Sequence, residues 1–191
     1  ECLQVERSNA QRSGRAQVGL APLSMRILAI CGSLQEKSGN LTLLRTAMAA
    51  APPGVRVELY DGLRDLPHFN PDLEQSEPLA VVARLRRAVS ESDALLIATP
   101  EYGHSLPGSL KNAIDWLIGT GELESKLVAI TSAVPVLERG RLGLAALRST
   151  LGAVSARIAF QEPIARGPDF EREVRALLTS LIAAASEPPE A

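Results

Sequence analysis

The sequence predicts an α/β fold, a doubly wound sheet of five parallel strands in the order 2-1-3-4-5 with helices on both faces. Three observations lead there. Five short apolar runs alternate with five stretches of helical spacing, and the central runs are apolar throughout, as strands covered on both faces are. The first and third runs each end in a polar, glycine-bearing loop that leads straight into helical spacing, at 31–40 and 99–116. Right-handed crossovers between parallel strands then place helices on both sides of the sheet.

The first strand covers 26–31, apolar after Arg26. A helix follows over 41–51, with Leu41, Leu44, Ala47 and Met48 at helical spacing and a stop at Pro52-Pro53-Gly54. Residues 55–60 alternate apolar and polar and read as the second strand. Residues 61–77 form a long connection rich in turn formers, notably Leu66-Pro67-His68-Phe69-Asn70-Pro71-Asp72. Connections of that length usually act in function or cover something. Pro78 suits a first helical position and opens a helix to about 91. The third strand, 94–98, is the most apolar and central. A helix over 107–118 again has proline near its start, and 127–131 is the fourth strand. The next helix, 141–151, is stopped by Gly152. A fifth strand over 154–160 and a closing helix over 170–185 complete the pattern.

At 191 residues the chain suits one domain with tails and buries an ample core. Residues 1–24 are polar, rich in Gln and Arg, and aperiodic, and read as a disordered or non-native extension. The domain proper is expected over 25–186, with Met25 as its functional start, and 187–191 should fray. A net charge of −2 offers no basic field for nucleic acid or anionic lipid. The longest apolar stretches are strand-length, so no membrane span is expected. Cys2 and Cys31 do not make a disulfide framework, and Cys31 reads as a small buried hydrophobe. His68 and His104 stand apart from any carboxylate or cysteine cluster, so no metal site is expected. With no secretory pattern visible, the cytoplasm is the expected compartment.

Chemistry concentrates in the two loops. A phosphate at the start of a helix meets unpaired backbone N–H groups and the positive end of the helix dipole. Ser33, Ser38 and Asn40 can complete its shell, while Gly32 and Gly39 let the backbone turn closely around an anion. Ser38 also reads as a plain helix cap. Neither G-x-G-x-x-G nor a Walker loop is present, which disfavours a nucleoside triphosphate enzyme. Open sheets take ligands at the carboxyl ends of their strands, so two such loops describe a site for a phosphorylated, flat ligand.

Together the loops resemble the NADPH-dependent FMN reductase family, a flavodoxin-like group that includes quinone, azo-dye and chromate reductases, over roughly residues 25–151. The family's Gly-Ser-Leu-Arg followed by Ser-x-Asn matches Ser33, Ser38 and Asn40, but Gln35 stands where arginine is usual. That loses a fixed charge and a bidentate donor, for which Lys37 is the nearest replacement in the loop. The second match is Pro100-Glu101-Tyr102, then Ser105-x-Pro107-Gly108-x-Leu110-Lys111-Asn112-x-x-Asp115-Trp116. The resemblance implies a loop along the isoalloxazine ring that presents backbone amides to its polar edge. A ring that accepts hydride at N5 builds negative charge toward N1 and O2, where fixed donors favour reduction. Pro100 would stiffen the strand exit and Tyr102 pack against the ring. Gly103 replaces the usual asparagine and keeps only its backbone N–H. After the fourth strand, in 131–135, Ser132 is the candidate, because Val134 and Val136 depart from the family pattern.

The implied cofactor is FMN, with NADPH or NADH as reductant, held by Ser33, Gln35, Ser38, Asn40, Pro100, Glu101, Tyr102, Gly103 and Ser132. No catalytic side chain is required, because the cofactor carries the hydride step. Arg139 and Arg141 read as contacts to the 2′-phosphate of NADPH or as a solvated helix start, and His104 borders the flavin face. Asn112 and Asp115 read as bonds to neighbouring turns, and Trp116 as core or subunit interface. The implied function is an FMN-dependent NAD(P)H oxidoreductase acting on a quinone, azo compound, metal oxyanion or free flavin. The implied assembly is a homodimer or homotetramer, with 66–71 and Trp116 as interface material. Two other classes stay open. A flavodoxin-like electron carrier is disfavoured by the balanced charge and few aromatics, and a flavin-poor interaction or sensory protein is suggested by Gln35, Gly103 and Val134.

Overall fold

The computed structural model describes residues 25–75 and 79–186. The expectations for 1–24, Pro78 and 187–191 lie outside the described residues. The chain runs β1 (Met25–Cys31), α1 (Gly39–Ala50), β2 (Val55–Tyr60), a 3-10 turn (Leu63–Asp65) and a short α2 (Pro71–Glu74). It continues through α3 (Ala80–Ser90), β3 (Ala94–Ala98), α4 (Gly108–Ile118), β4 (Leu127–Val134), α5 (Arg141–Gly152), β5 (Arg157–Ala165) and α6 (Phe170–Ser186). The strands form one sheet in the order β2-β1-β3-β4-β5, every pair parallel. This is the doubly wound, flavodoxin-like topology expected from the sequence.

The two-residue alternation of a strand sorts the apolar side chains onto two cores. Leu28, Ile30, Leu95, Ile97, Val128 and Ile130 meet α3, α4 and α5 through Leu85, Ile114 and Leu147 on one face. Ile27, Ala29, Leu96 and Ala129 meet α1 and α6 through Leu43, Leu44, Val174 and Leu177 on the other. β3 is buried at all five positions. That pins the strand whose carboxyl end carries the second loop.

The edge strand departs from expectation. β5 starts at Arg157 rather than at 154. The chain leaving α5 first reverses, with the Ala156 N–H returning to Leu151 O at 3.1 Å and Ser155 in left-handed backbone at φ 57°. Val154 lies in that reversal. Gly152 stays helical, so the left-handed position falls on Ser155 rather than on the expected glycine. β5 in turn draws β4 out to Val134, pairing Ser132, Ala133 and Val134 with Pro163, Ile164 and Ala165. Residues 132–134, expected in a loop, are therefore strand. Ala159 is the extra residue of a bulge opposite Val128 and Ala129.

The described part of the 61–77 connection, 61–75, is fastened by the second half of the long motif. Asn112 accepts from the Phe69 N–H at 2.7 Å and donates to Pro67 O at 2.9 Å. Trp116 Nε1 donates to the same carbonyl at 2.9 Å, and Phe69 meets the indole edge-on with centroids 5.1 Å apart. Lys111 and Asp115 pair one turn apart at 2.6 Å. Trp116 is 1% exposed. It is core, and its expected part in a subunit interface is corrected, because no surface of it is left to offer.

Candidate functional site

Loop 31–40 sits between the carboxyl ends of β1, β3 and β4. The Gly32 N–H donates to Ala98 O at 2.9 Å, and a Cβ on Gly32 would run into the Thr99 side chain. Gly39 similarly leaves room for Arg166, whose Cδ would lie 3.2 Å from an added Cβ. Neither glycine takes positive φ. Both serve close packing between loops rather than the tight backbone turn expected of them. Ser38 is the N-cap of α1 and accepts from the Asn40 N–H at 3.2 Å, the plainer of its two readings. Asn40 Oδ1 accepts from the Ala133 N–H at 2.8 Å and thereby ties α1 to β4. Ser33 accepts from the Gln35 N–H at 3.3 Å. Ser33, Ser38 and Asn40 are buried at the base of the loop, while Leu34 to Lys37 stand exposed around it.

The second loop closes on itself. Tyr102 and Ser105 exchange backbone hydrogen bonds, both 3.0 Å, around Gly103 at φ 55° and His104 at φ 61°. Left-handed backbone at both central residues is the primed two-residue turn that favours glycine and asparagine. Tyr102 is 56% exposed at this tip. Glu101 turns the other way, its carboxylate accepting from the Gly143 N–H at 2.9 Å in the first turn of α5. α5 has no side-chain cap of its own, and an acid at a helix start favours the dipole. A Cβ on Gly143 would stand 3.0 Å from Glu101 Cβ and 3.1 Å from its Cα. Gly143 is what lets the loop lie against the helix.

A cavity of about 400 Å³ opens between the second loop and the end of β4 with the segment after it, lined among others by Pro100, Glu101, His104, Ser132, Arg139 and Gly140. Gly140, at φ 83°, faces Ser132 Oγ at 3.0 Å from where its Cβ would be. Arg139 lines the cavity, whereas Arg141 Nε donates back to Leu137 O. A second hollow, about 340 Å³, lies toward β2 and holds Cys31, Ser33, Gln35, Arg45, Leu63 and Arg64. Arg64 donates to Leu34 O at 3.2 Å and so braces the phosphate loop from the long connection. Burial pushes the Cys31 thiol up, keeping it protonated and inert at neutral pH.

Pro100, Glu101 and Ser132 thus share one cavity, and Ser33, Ser38 and Asn40 share one loop joined to it through Ala133. Gln35 belongs to the hollow on the β2 side, and Tyr102 and Gly103 stand on the exposed tip. Sequence reasoning missed Gly140, Gly143 and Arg166. The glycine pair three residues apart at a helix start was a signal for the first two; nothing local marked Arg166. Among the described residues no His, Cys, Asp and Glu cluster can hold a metal, and no helix is long and apolar enough to cross a membrane. The donor set fits a single phosphate: hydroxyls and backbone N–H groups at a helix start, with the 400 Å³ cavity reached through Ala133.

Comparisons with known proteins bear on the family and the fold. The sequence pattern of the NADPH-dependent FMN reductase family matches residues 25–165. An NAD(P)H-dependent FMN reductase of Pseudomonas aeruginosa is 39% identical over 133 residues, 66% of this chain and 69% of that protein. The quinone reductase of Escherichia coli is 37% identical over 94 residues, so the match spans 49% of this chain and 50% of that enzyme. FerB, a flavoenzyme NAD(P)H:(acceptor) oxidoreductase from Paracoccus denitrificans, superposes with a TM-score of 0.69 at 29% identity, covering 84% of this chain and 95% of FerB. Because the matched stretch runs through every strand of the sheet and both loops, the chain belongs to the NADPH-dependent FMN reductase family.

Proposed function

We propose that the protein is an FMN-dependent NAD(P)H oxidoreductase that reduces a small-molecule acceptor, with quinones, azo compounds, metal oxyanions and free flavin as the candidate classes. One observation carries the reading: the Asn40–Ala133 bond joins a phosphate-type helix start to the cavity between the second and third loops. Bound FMN would supply hydride acceptance at N5 and onward transfer to the acceptor. The chain's own part is to hold and orient. Ser33, Ser38 and Asn40 surround the phosphate position together with N–H groups at the start of α1. The backbone from Pro100 to Gly103 and Ser132 line the ring position, with Gln35 and Glu101 flanking the two ends. Tyr102 and His104, exposed at the rim, meet whatever stacks on the ring.

Exposed Val136, Leu137 and Leu142 beside the cavity support the homodimer or homotetramer, which sedimentation measures directly. The cytoplasm remains the expected compartment. The test of function is NADPH and NADH consumption by the FMN-loaded protein, with and without a quinone. Acceptor-dependent turnover is expected. A protein that binds FMN but oxidises neither nucleotide would be a carrier, and the enzymatic reading would fail. Chromatography of the extracted chromophore should give FMN, and a predominance of FAD would overturn the single-phosphate reading.

A further inference from the structure

The phosphate loop carries Gln35 where the resemblance leads one to expect a guanidinium, so its anion has lost a fixed charge from the loop itself. A guanidinium arrives instead from the far edge of the sheet. Arg166 follows β5 directly, and its backbone N–H donates to Val134 O at 2.8 Å. Its stem lies over the first residue of α1: an added Cβ on Gly39 would be 3.2 Å from Arg166 Cδ and 3.7 Å from its Nε. The missing Cβ of Gly39 is what allows this approach. Arg166 and Lys37 line one cavity of about 340 Å³ with Gly39, Thr42, Gly167 and Phe170, and no acid lines it. Neither cation forms an ion pair with a described residue. Gln35 lines the separate hollow toward β2, together with Ser33.

We propose that Arg166 is the side chain that grips the FMN phosphate, in the role the resemblance gives to arginine at position 35, with Lys37 beside it. The proposal rests on the FMN reading above. The physical logic is that one planar donor fork satisfies a phosphate bidentately wherever it originates, provided its stem is held. Here the stem is held by the β5 exit and by Gly39. Two flexible contributors, Gln35 and Lys37, would not achieve the same geometry.

The discriminating ligand is riboflavin, which keeps the ring and ribityl chain and lacks the phosphate. FMN and riboflavin are titrated by fluorescence quenching into the full chain freed of flavin, as wild type, Arg166→Gln and Arg166→Lys. Arg166→Gln should bind FMN roughly 10- to 100-fold more weakly, the range a lost hydrogen bond to a charged group gives. Riboflavin affinity should stay within about twofold, because no uncharged contact is removed. Arg166→Lys should fall between, and the FMN affinity of Arg166→Gln should depend less on salt than wild type. Adding Gln35→Arg to Arg166→Gln should restore most of the loss. Equal weakening of both flavins would make Arg166 merely structural and overturn the proposal, as would unchanged FMN binding. A wild type that binds riboflavin as tightly as FMN would refute the phosphate site itself, and with it the FMN reading. A wild type that prefers FMN, with Arg166→Gln unaltered, refutes only the role of Arg166.

Discussion

Gly143→Ala tests whether the second loop is held by its contact with α5. An alanine Cβ would stand 3.0 Å from Glu101 Cβ, 3.1 Å from its Cα and 3.2 Å from its Cγ. Carbon atoms prefer about 3.5–4.0 Å, so loop or helix must retreat by roughly half an ångström. The Cα among these neighbours cannot rotate away. Overpacking of this kind costs about 1–3 kcal/mol. The retreat also stretches the 2.9 Å bond from the Gly143 N–H to the Glu101 carboxylate. Bonds to charged groups contribute about 1.5–3 kcal/mol, toward the low end here because Glu101 is only half-buried. Against these stands the helix preference of alanine over glycine, about 1 kcal/mol. The balance is a loss of roughly 1–3 kcal/mol, together with weaker flavin binding, since Glu101 lines the cavity. Gly152→Ala is the control: it sits in the same helix with nothing within 4 Å of its added Cβ, and should gain up to about 1 kcal/mol. Urea denaturation at neutral pH and FMN titration of both variants decide the matter. If Gly143→Ala is as stable as Gly152→Ala and binds FMN like wild type, the close approach is not holding the loop.

Other expectations follow from single positions. Gly103→Asn should fold and bind flavin like wild type, because φ 55° suits asparagine and the added Cβ meets nothing within 4 Å; Gly103→Val, branched at that φ, should destabilise the turn measurably in the same denaturation assay. Tyr102→Phe should leave hydride transfer within about one order of magnitude, ~1.4 kcal/mol of barrier, because the proposed function gives this exposed ring a positioning role and no proton to move. Stopped-flow reduction by NADPH reads the step directly, and its collapse with flavin still bound would give the hydroxyl a chemical role. Burial raises the Cys31 thiol above its ordinary 9.0, so the folded chain keeps a proton that the unfolded chain releases. That stabilisation is complete below the ordinary value and lost as pH climbs through the folded one. Cys31→Ala should therefore flatten the decline in urea midpoint as pH climbs above 9.0; an undiminished decline would show that the thiol takes no part.

The two cores were legible because β3 throughout, and β1 beyond Arg26, carry apolar residues at the positions that face a helix layer, and alternation assigns each to a side. β5 was legible as a strand but not in its bounds, because an edge strand needs no apolar run: Gln161, Glu162 and Pro163 lie inside it, while apolar Val154 lies outside. The loops were legible as polar insertions at the right edge of the sheet, yet the work of their residues depends on partners remote in sequence. Gly32 answers to Thr99, Asn40 to Ala133, Glu101 to Gly143 and Asn112 to Phe69, and no local window contains any of these pairs. The long second motif therefore divides in two. Its first half shapes the cavity, and its second half, Asn112 and Trp116, anchors the 61–75 part of the connection, from which Arg64 reaches back to Leu34 of the phosphate loop. Each loop at the carboxyl edge is thus braced by a bond to another element. Bracing of this kind limits how much ordering a ligand must impose, so the binding energy of a phosphate and a flat ring is left for orientation rather than for folding the site.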